Sequence, residues 1–163
     1  MKSTGIIRRI DDLGRIVIPK EIRRAIRIRE GEAMEMFVDR DGTITLKKFS
    51  PVGQLGDFAQ EYADSLYQSI GHIALVTDCD QVIAVAGGSK KNYLNMPVEN
   101  YGDITQRKIV MEEQKVFSPI IAEGDIVGSV VLLANENYSG KFDNLEFKMA
   151  ETASEFLAKQ VEY

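Results

Sequence analysis

The chain has 163 residues, 44% hydrophobic and 28% charged, the balance of an ordinary soluble globular protein of one or two domains. Its longest apolar stretch, residues 127–134, contains Gly128 and Ser129 and falls far short of the ~20 residues of a membrane span; with no apolar signal segment at the N-terminus, a cytoplasmic protein is expected. The single cysteine, Cys79, excludes an intrachain disulfide and a cysteine-based metal cluster. The net charge of −5 hides an asymmetry, since residues 1–50 hold 12 cations and 8 anions whereas residues 51–163 hold 8 and 17.

Two β-branched runs, Ile6-Ile7 with Ile10 and Ile16-Val17-Ile18, flank Asp11-Asp12-Leu13-Gly14, whose Asp and Gly favour a turn. The pattern predicts strand, turn, strand. Pro19 suits the first position of a short helix, in which Ile22, Ala25 and Ile26 form an inward face and Arg23, Arg24 and Arg27 point elsewhere. Residues 1–29 carry nine cations against three anions, a net of +6, and seven of the nine are arginines, whose planar fork suits phosphate or guanine. Nucleic acid is the natural partner, and on charge alone a solvated surface has equal weight. Met34 to Val38 and Thr43 to Phe49 then alternate apolar and polar residues around Asp39-Arg40-Asp41-Gly42, a hairpin with one face buried. About 50 residues with four short strands and one small helix bury too little surface to stand alone, so an obligate dimer is expected.

Residues 2–51 resemble the N-terminal domain of AbrB-type transition-state regulators at nearly every position. Gly5, Arg8, Asp11, Leu13-Gly14-Arg15, Ile18-Pro19, Glu21 and Arg23-Arg24 carry the likeness. The resemblance implies an all-β swapped-hairpin barrel with a short helix, formed by two interdigitated chains. It places Arg8, Arg9, Arg15, Arg23 and Arg24 on a DNA-binding face, with Arg27 and Arg29 beyond the helix and of less weight.

Ser50 to Gly56 clusters Ser, Pro and Gly, which sets expected domains of 1–52 and 53–163. Leu55, Phe58, Ala59, Tyr62, Ala63, Leu66, Tyr67 and Ile70 recur at helical spacing up to Gly71, a C-terminal cap. That stripe suits core packing together with helix pairing between subunits. Strand pairs are expected at His72–Val76 with Val82–Ala86 and at Lys115–Ile121 with Ile126–Ala134. Ser89 would cap a short helix through Leu94, and Asp143 with Glu146 forms a capping box before a helix bearing Leu145, Met149, Ala150, Ala153, Phe156 and Leu157. This order suits an α+β domain with an antiparallel sheet. Residues 55–72, 89–95 and 118–133 resemble the GAF-like domain that some AbrB-type regulators carry, although the stretch between Tyr93 and Val116 is shorter here. Tyr93, Tyr101 and Phe117 are candidates for lining a pocket, against the commoner reading of aromatic core.

Catalytic and metal chemistry is not expected. His72 heads an apolar strand without a companion at ligand spacing, Cys79 lies between two aspartates that oppose a thiolate, and neither Gly87-Gly88-Ser89 nor Ser139-Gly140-Lys141 has a phosphate-loop pattern. Adjacent Glu112-Glu113 do not converge on one substrate. The expectation is a DNA-binding transcriptional regulator of a sporulation or transition-state programme, associated with the nucleoid, with no cofactor. Its expected partners are double-stranded DNA, a second copy through the N-terminal domain, two dimers joined into a tetramer by the C-terminal domain, and an unidentified small-molecule effector. The alternative is an antitoxin on the same barrel, disfavoured because about 110 residues rich in apolar periodicity follow where a disordered tail would suffice.

Overall fold

The computed structural model describes residues 2–161, in two compact units, Met1–Phe49 and Ser50–Tyr163. The first unit holds helix α1 (Lys20–Ala25) and strands β1 (Met34–Val38) and β2 (Ile44–Lys48). Residues 2–18 form no strand within the single chain, contrary to expectation. The Asp11–Gly14 turn does form, with the Gly14 amide donating to Asp11 O at 3.0 Å. A strand needs a partner edge, and within the chain this segment pairs with neither β1 nor β2.

Pro19 precedes α1 as its cap instead of opening it, and the helix ends in a left-handed turn. The Ile28 amide donates to Arg23 O at 2.8 Å and the Arg27 amide to Arg24 O at 3.2 Å, the pairing of a Schellman cap. Arg27 occupies the left-handed position, φ 55°, where glycine is usual. The expected inward face is not buried: α1 has no buried residue, Ile22 is half-buried, and Ala25 and Ile26 are exposed. β1 and β2 pair antiparallel, with Met36 opposite Leu46 and Val38 opposite Ile44. Here too the face expected inside lies open, with Met36 63%, Val38 71% and Ile44 60% exposed.

The second unit is a five-stranded antiparallel sheet in the order β4-β3-β7-β6-β5, with α2 (Asp57–Ile70) and α4 (Asn144–Val161) on one face. β3 (Ile73–Thr77) and β7 (Asp125–Leu133) lie centrally, and β3 is buried at every residue, as a continuous apolar run covered on both faces should be. β4 (Val82–Ala86) and β6 (Lys115–Ala122) flank them. β5 (Val110–Glu112), a three-residue strand with no sequence signal of its own, pairs only the first three residues of β6. Gly71 ends α2 at φ 72° with its amide on Tyr67 O. The short α3 (Lys90–Tyr93) does follow Ser89, but the serine side chain makes no capping bond. At the other end of the domain the capping box forms: the Asp143 amide donates to Glu146 Oε2 at 2.8 Å and the Leu145 amide to Asp143 Oδ1 at 2.9 Å. Leu145 and Phe156 fall outside the buried apolar stripe of α4, which is Ala150, Ala153, Leu157, Ala158 and Val161.

Candidate nucleic-acid interface

All five arginines expected to meet DNA are exposed. Arg23 and Arg24 occupy the last turn of α1, where positive side chains complement the helix C-terminus. Arg8 and Arg9 lie in the extended segment before the turn, and Arg15 leaves the turn itself.

The turn is built on one carboxylate. Asp11 Oδ1 accepts the Leu13 amide at 3.0 Å and the Arg15 amide at 2.8 Å, while the Asp11 amide donates to Arg15 O at 3.0 Å. Its second oxygen, Oδ2, accepts the Arg15 guanidinium through Nε at 2.8 Å. The Arg15 amide and then its guanidinium hold the Asp11 carboxyl below the usual carboxylate range. In the sequence Asp11 reads as a turn former, a negative charge and one of the residues that carry the AbrB-type likeness; its spacing of four to Arg15 across a Gly-containing turn is the signal for this pairing.

Apolar exposure concentrates beside these cations. Of the fifteen large hydrophobic residues exposed among the described residues, ten lie between Ile7 and Ile44, including Ile7 at 86% and Leu13 at 70%. A lone unit this small does not leave so much apolar surface in water without a partner to cover it.

In the second unit the histidine is a core residue. His72 is 5% exposed, Nε2 meets Glu146 Oε1 at 3.2 Å, and the ring packs on Tyr138 and Phe142 at 4.6 Å from each. Cys79 is exposed with its thiol on Ile126 O. Tyr93, Tyr101 and Phe117 join a second apolar layer on the sheet face opposite α2 and α4. Phe117 is 1% exposed, and a Cβ on Gly102 would come within 2.4 Å of its ring, so Phe117 is packed inside this layer while Tyr93 and Tyr101 are half-buried beside it. An open groove of about 280 Å³ lies elsewhere, between α4 and β6, with Arg107, Ser118, Glu151 and Ser154 among its walls. Among the described residues no cluster of three His, Cys, Asp or Glu side chains could hold a metal, and no helix is long and apolar enough to cross a membrane.

The family model of the stage V sporulation protein T C-terminal, transcription factor, matches residues 54–162, and that of antidote-toxin recognition MazE, bacterial antitoxin, matches residues 7–54. Stage V sporulation protein T of Bacillus subtilis (strain 168) is 49% identical over 180 residues, spanning 99% of each chain. The transition state regulatory protein AbrB of the same organism is 57% identical over 51 residues, 31% of this chain and 52% of that protein. The GAF domain of an Acinetobacter phosphoenolpyruvate-protein phosphotransferase is similar in fold, with a TM-score of 0.53 and 11% identity over 68% of this chain and 87% of that one. With an AbrB-type unit followed by a GAF-like α+β unit, the chain belongs to the stage V sporulation protein T family and is a transcription factor of the sporulation and transition-state type.

Proposed function

We propose that this transcription factor acts by binding double-stranded DNA through the N-terminal units of two copies, joined in one swapped barrel that presents Arg8, Arg9, Arg15, Arg23 and Arg24 from each. The observation that carries the reading is the coincidence, in residues 7–44, of eight exposed arginines, these five among them, with ten exposed large hydrophobics. The hydrophobics call for a second copy and the arginines for a polyanion. The acidic second unit, repelled by DNA, leaves the contact to the first. An antitoxin would not require an ordered α+β domain of this size behind its barrel.

The test is a DNA titration at several salt concentrations, beside chromosome-wide mapping of bound sites. With roughly six to ten phosphates engaged, log K against log salt should slope at about −0.9 per phosphate. A slope near zero, or no discrete sites, rejects DNA binding, and co-purification of a small toxin would then favour the antitoxin.

The second unit joins dimers into a tetramer through the outer faces of α2 and α4. Phe156 stacks on Tyr62 at 5.2 Å and on Phe58 at 6.0 Å, and Phe58 and Phe156 are 36% and 40% exposed. Aromatic groups half in water at adjoining helices suit a matching face on a second copy. Phe156→Glu should therefore leave the circular dichroism unchanged, halve the sedimenting mass from tetramer to dimer, and weaken DNA binding about 10²-fold through lost avidity. A tetramer that persists would refute this face. The space offered to a small-molecule effector is the groove between α4 and β6.

A further inference from the structure

We infer that Asp11 is a positioning residue for DNA binding, a carboxylate that holds the Arg15 guanidinium in one orientation on the very face that meets phosphates. The inference rests on the DNA reading above and adds a residue of the opposite charge to it.

Three features of the turn carry the argument. The carboxylate divides its work, one oxygen taking the two backbone amides that shape the turn and the other taking Arg15 Nε at 2.8 Å. Both partners remain accessible, the Arg15 side chain 70% exposed and that of Asp11 38%, so the pair lies on the surface and is not locked in a core. The contact engages Nε, which leaves both terminal nitrogens outside that bond and the planar fork available to a phosphate or a guanine edge.

A free arginine side chain loses rotamer entropy when it docks, and an arginine already held in place loses less. Simple electrostatics has the opposite sign. A carboxylate close to phosphates repels them, so its neutralisation should tighten binding if charge were all that mattered. The direction of the effect therefore separates positioning from repulsion.

Asp11→Asn is the informative change. The amide oxygen still accepts the Leu13 and Arg15 amides and keeps the turn, while an NH₂ group replaces the oxygen that anchored Nε. Full-length wild type, Asp11→Asn, Arg15→Ala and the double variant would be titrated with a duplex from the strongest mapped site, beside circular dichroism and sedimentation. Asp11→Asn is expected to bind about ten-fold more weakly with fold and assembly unchanged, and in the Arg15→Ala background the same change should no longer weaken binding. Arg15→Lys gives an independent arm that leaves Asp11 intact. It keeps the charge but lacks the anchored fork, and it should lose nearly as much affinity as Arg15→Ala.

Asp11→Asn binding as tightly as wild type or tighter, an equal loss in both backgrounds, or full affinity in Arg15→Lys overturns the inference. Those results would leave wild-type binding and the loss in Arg15→Ala in place. Failure of the DNA reading looks different, because wild type itself would then show no salt-dependent binding.

Discussion

Alanine at both Arg23 and Arg24 is expected to lower DNA affinity about 10³-fold at about 0.15 M salt. Each swapped dimer would lose four cations, so the slope of log K against log salt should flatten by about 3.6, and extrapolating that difference from 1 M to about 0.15 M salt gives the factor. The fold should tolerate the change. Both side chains are exposed, the bonds that end α1 run through the backbone carbonyls of Arg23 and Arg24, and alanine is the best helix former, which offsets the lost interaction with the helix terminus. Anisotropy titrations at four salt concentrations, with sedimentation as the control for assembly, make the measurement. An unchanged slope would remove α1 from the DNA face.

Much of the second unit was legible from periodicity because its apolar faces are covered within one chain. α2 and α4 follow their apolar stripes, Gly71 stands at the left-handed end of α2, and the box of Asp143 and Glu146 opens α4. The hairpin around Asp39–Gly42 pairs as the Asp-Gly signal requires. The misses have physical causes. β5 is three residues long, and the Glu113-Gln114 turn that joins it to β6 has no Gly, Pro, Asn or Asp to announce a hairpin. Ser89 fits a cap by residue type, yet its side chain does not turn back onto the helix. Arg27 holds a left-handed position that sequence rules reserve for glycine. In the first unit the isoleucines before and after the turn have strand propensity, but propensity cannot supply a partner, and within one chain they remain outside any strand, with Ile7, Ile10 and Ile16 exposed. The candidate site divides in the same way. Its arginines stand out in the sequence by charge and by resemblance, whereas the bonds of Asp11 depend on which of its oxygens meets which donor.

Met36→Asp should separate a solitary N-terminal unit from a swapped one. Met34, Met36 and Val38 alternate on β1 opposite Lys48, Leu46 and Ile44 on β2, which puts Met36, Val38, Ile44 and Leu46 on one apolar face. Within a single chain Met36 is 63% exposed, so an aspartate there would be an ordinary surface change, within about 0.5 kcal/mol of neutral. In a swapped barrel the same face is interior, and each copy would bury a carboxylate without a partner, at a cost of about 3 kcal/mol or more per chain. An isolated two-stranded hairpin is at best marginally stable, so the N-terminal unit should lose its structure along with its partner. The expected result is a drop in strand signal by the share of β1 and β2, loss of DNA binding, and a tetramer reduced to dimers held by α2 and α4 alone. Met36→Leu, which keeps volume and polarity, should behave as wild type. Combining Met36→Asp with Phe156→Glu should yield monomers, since the two changes act on different interfaces. Unaltered thermal stability and sedimentation in Met36→Asp would show that no second copy covers this face.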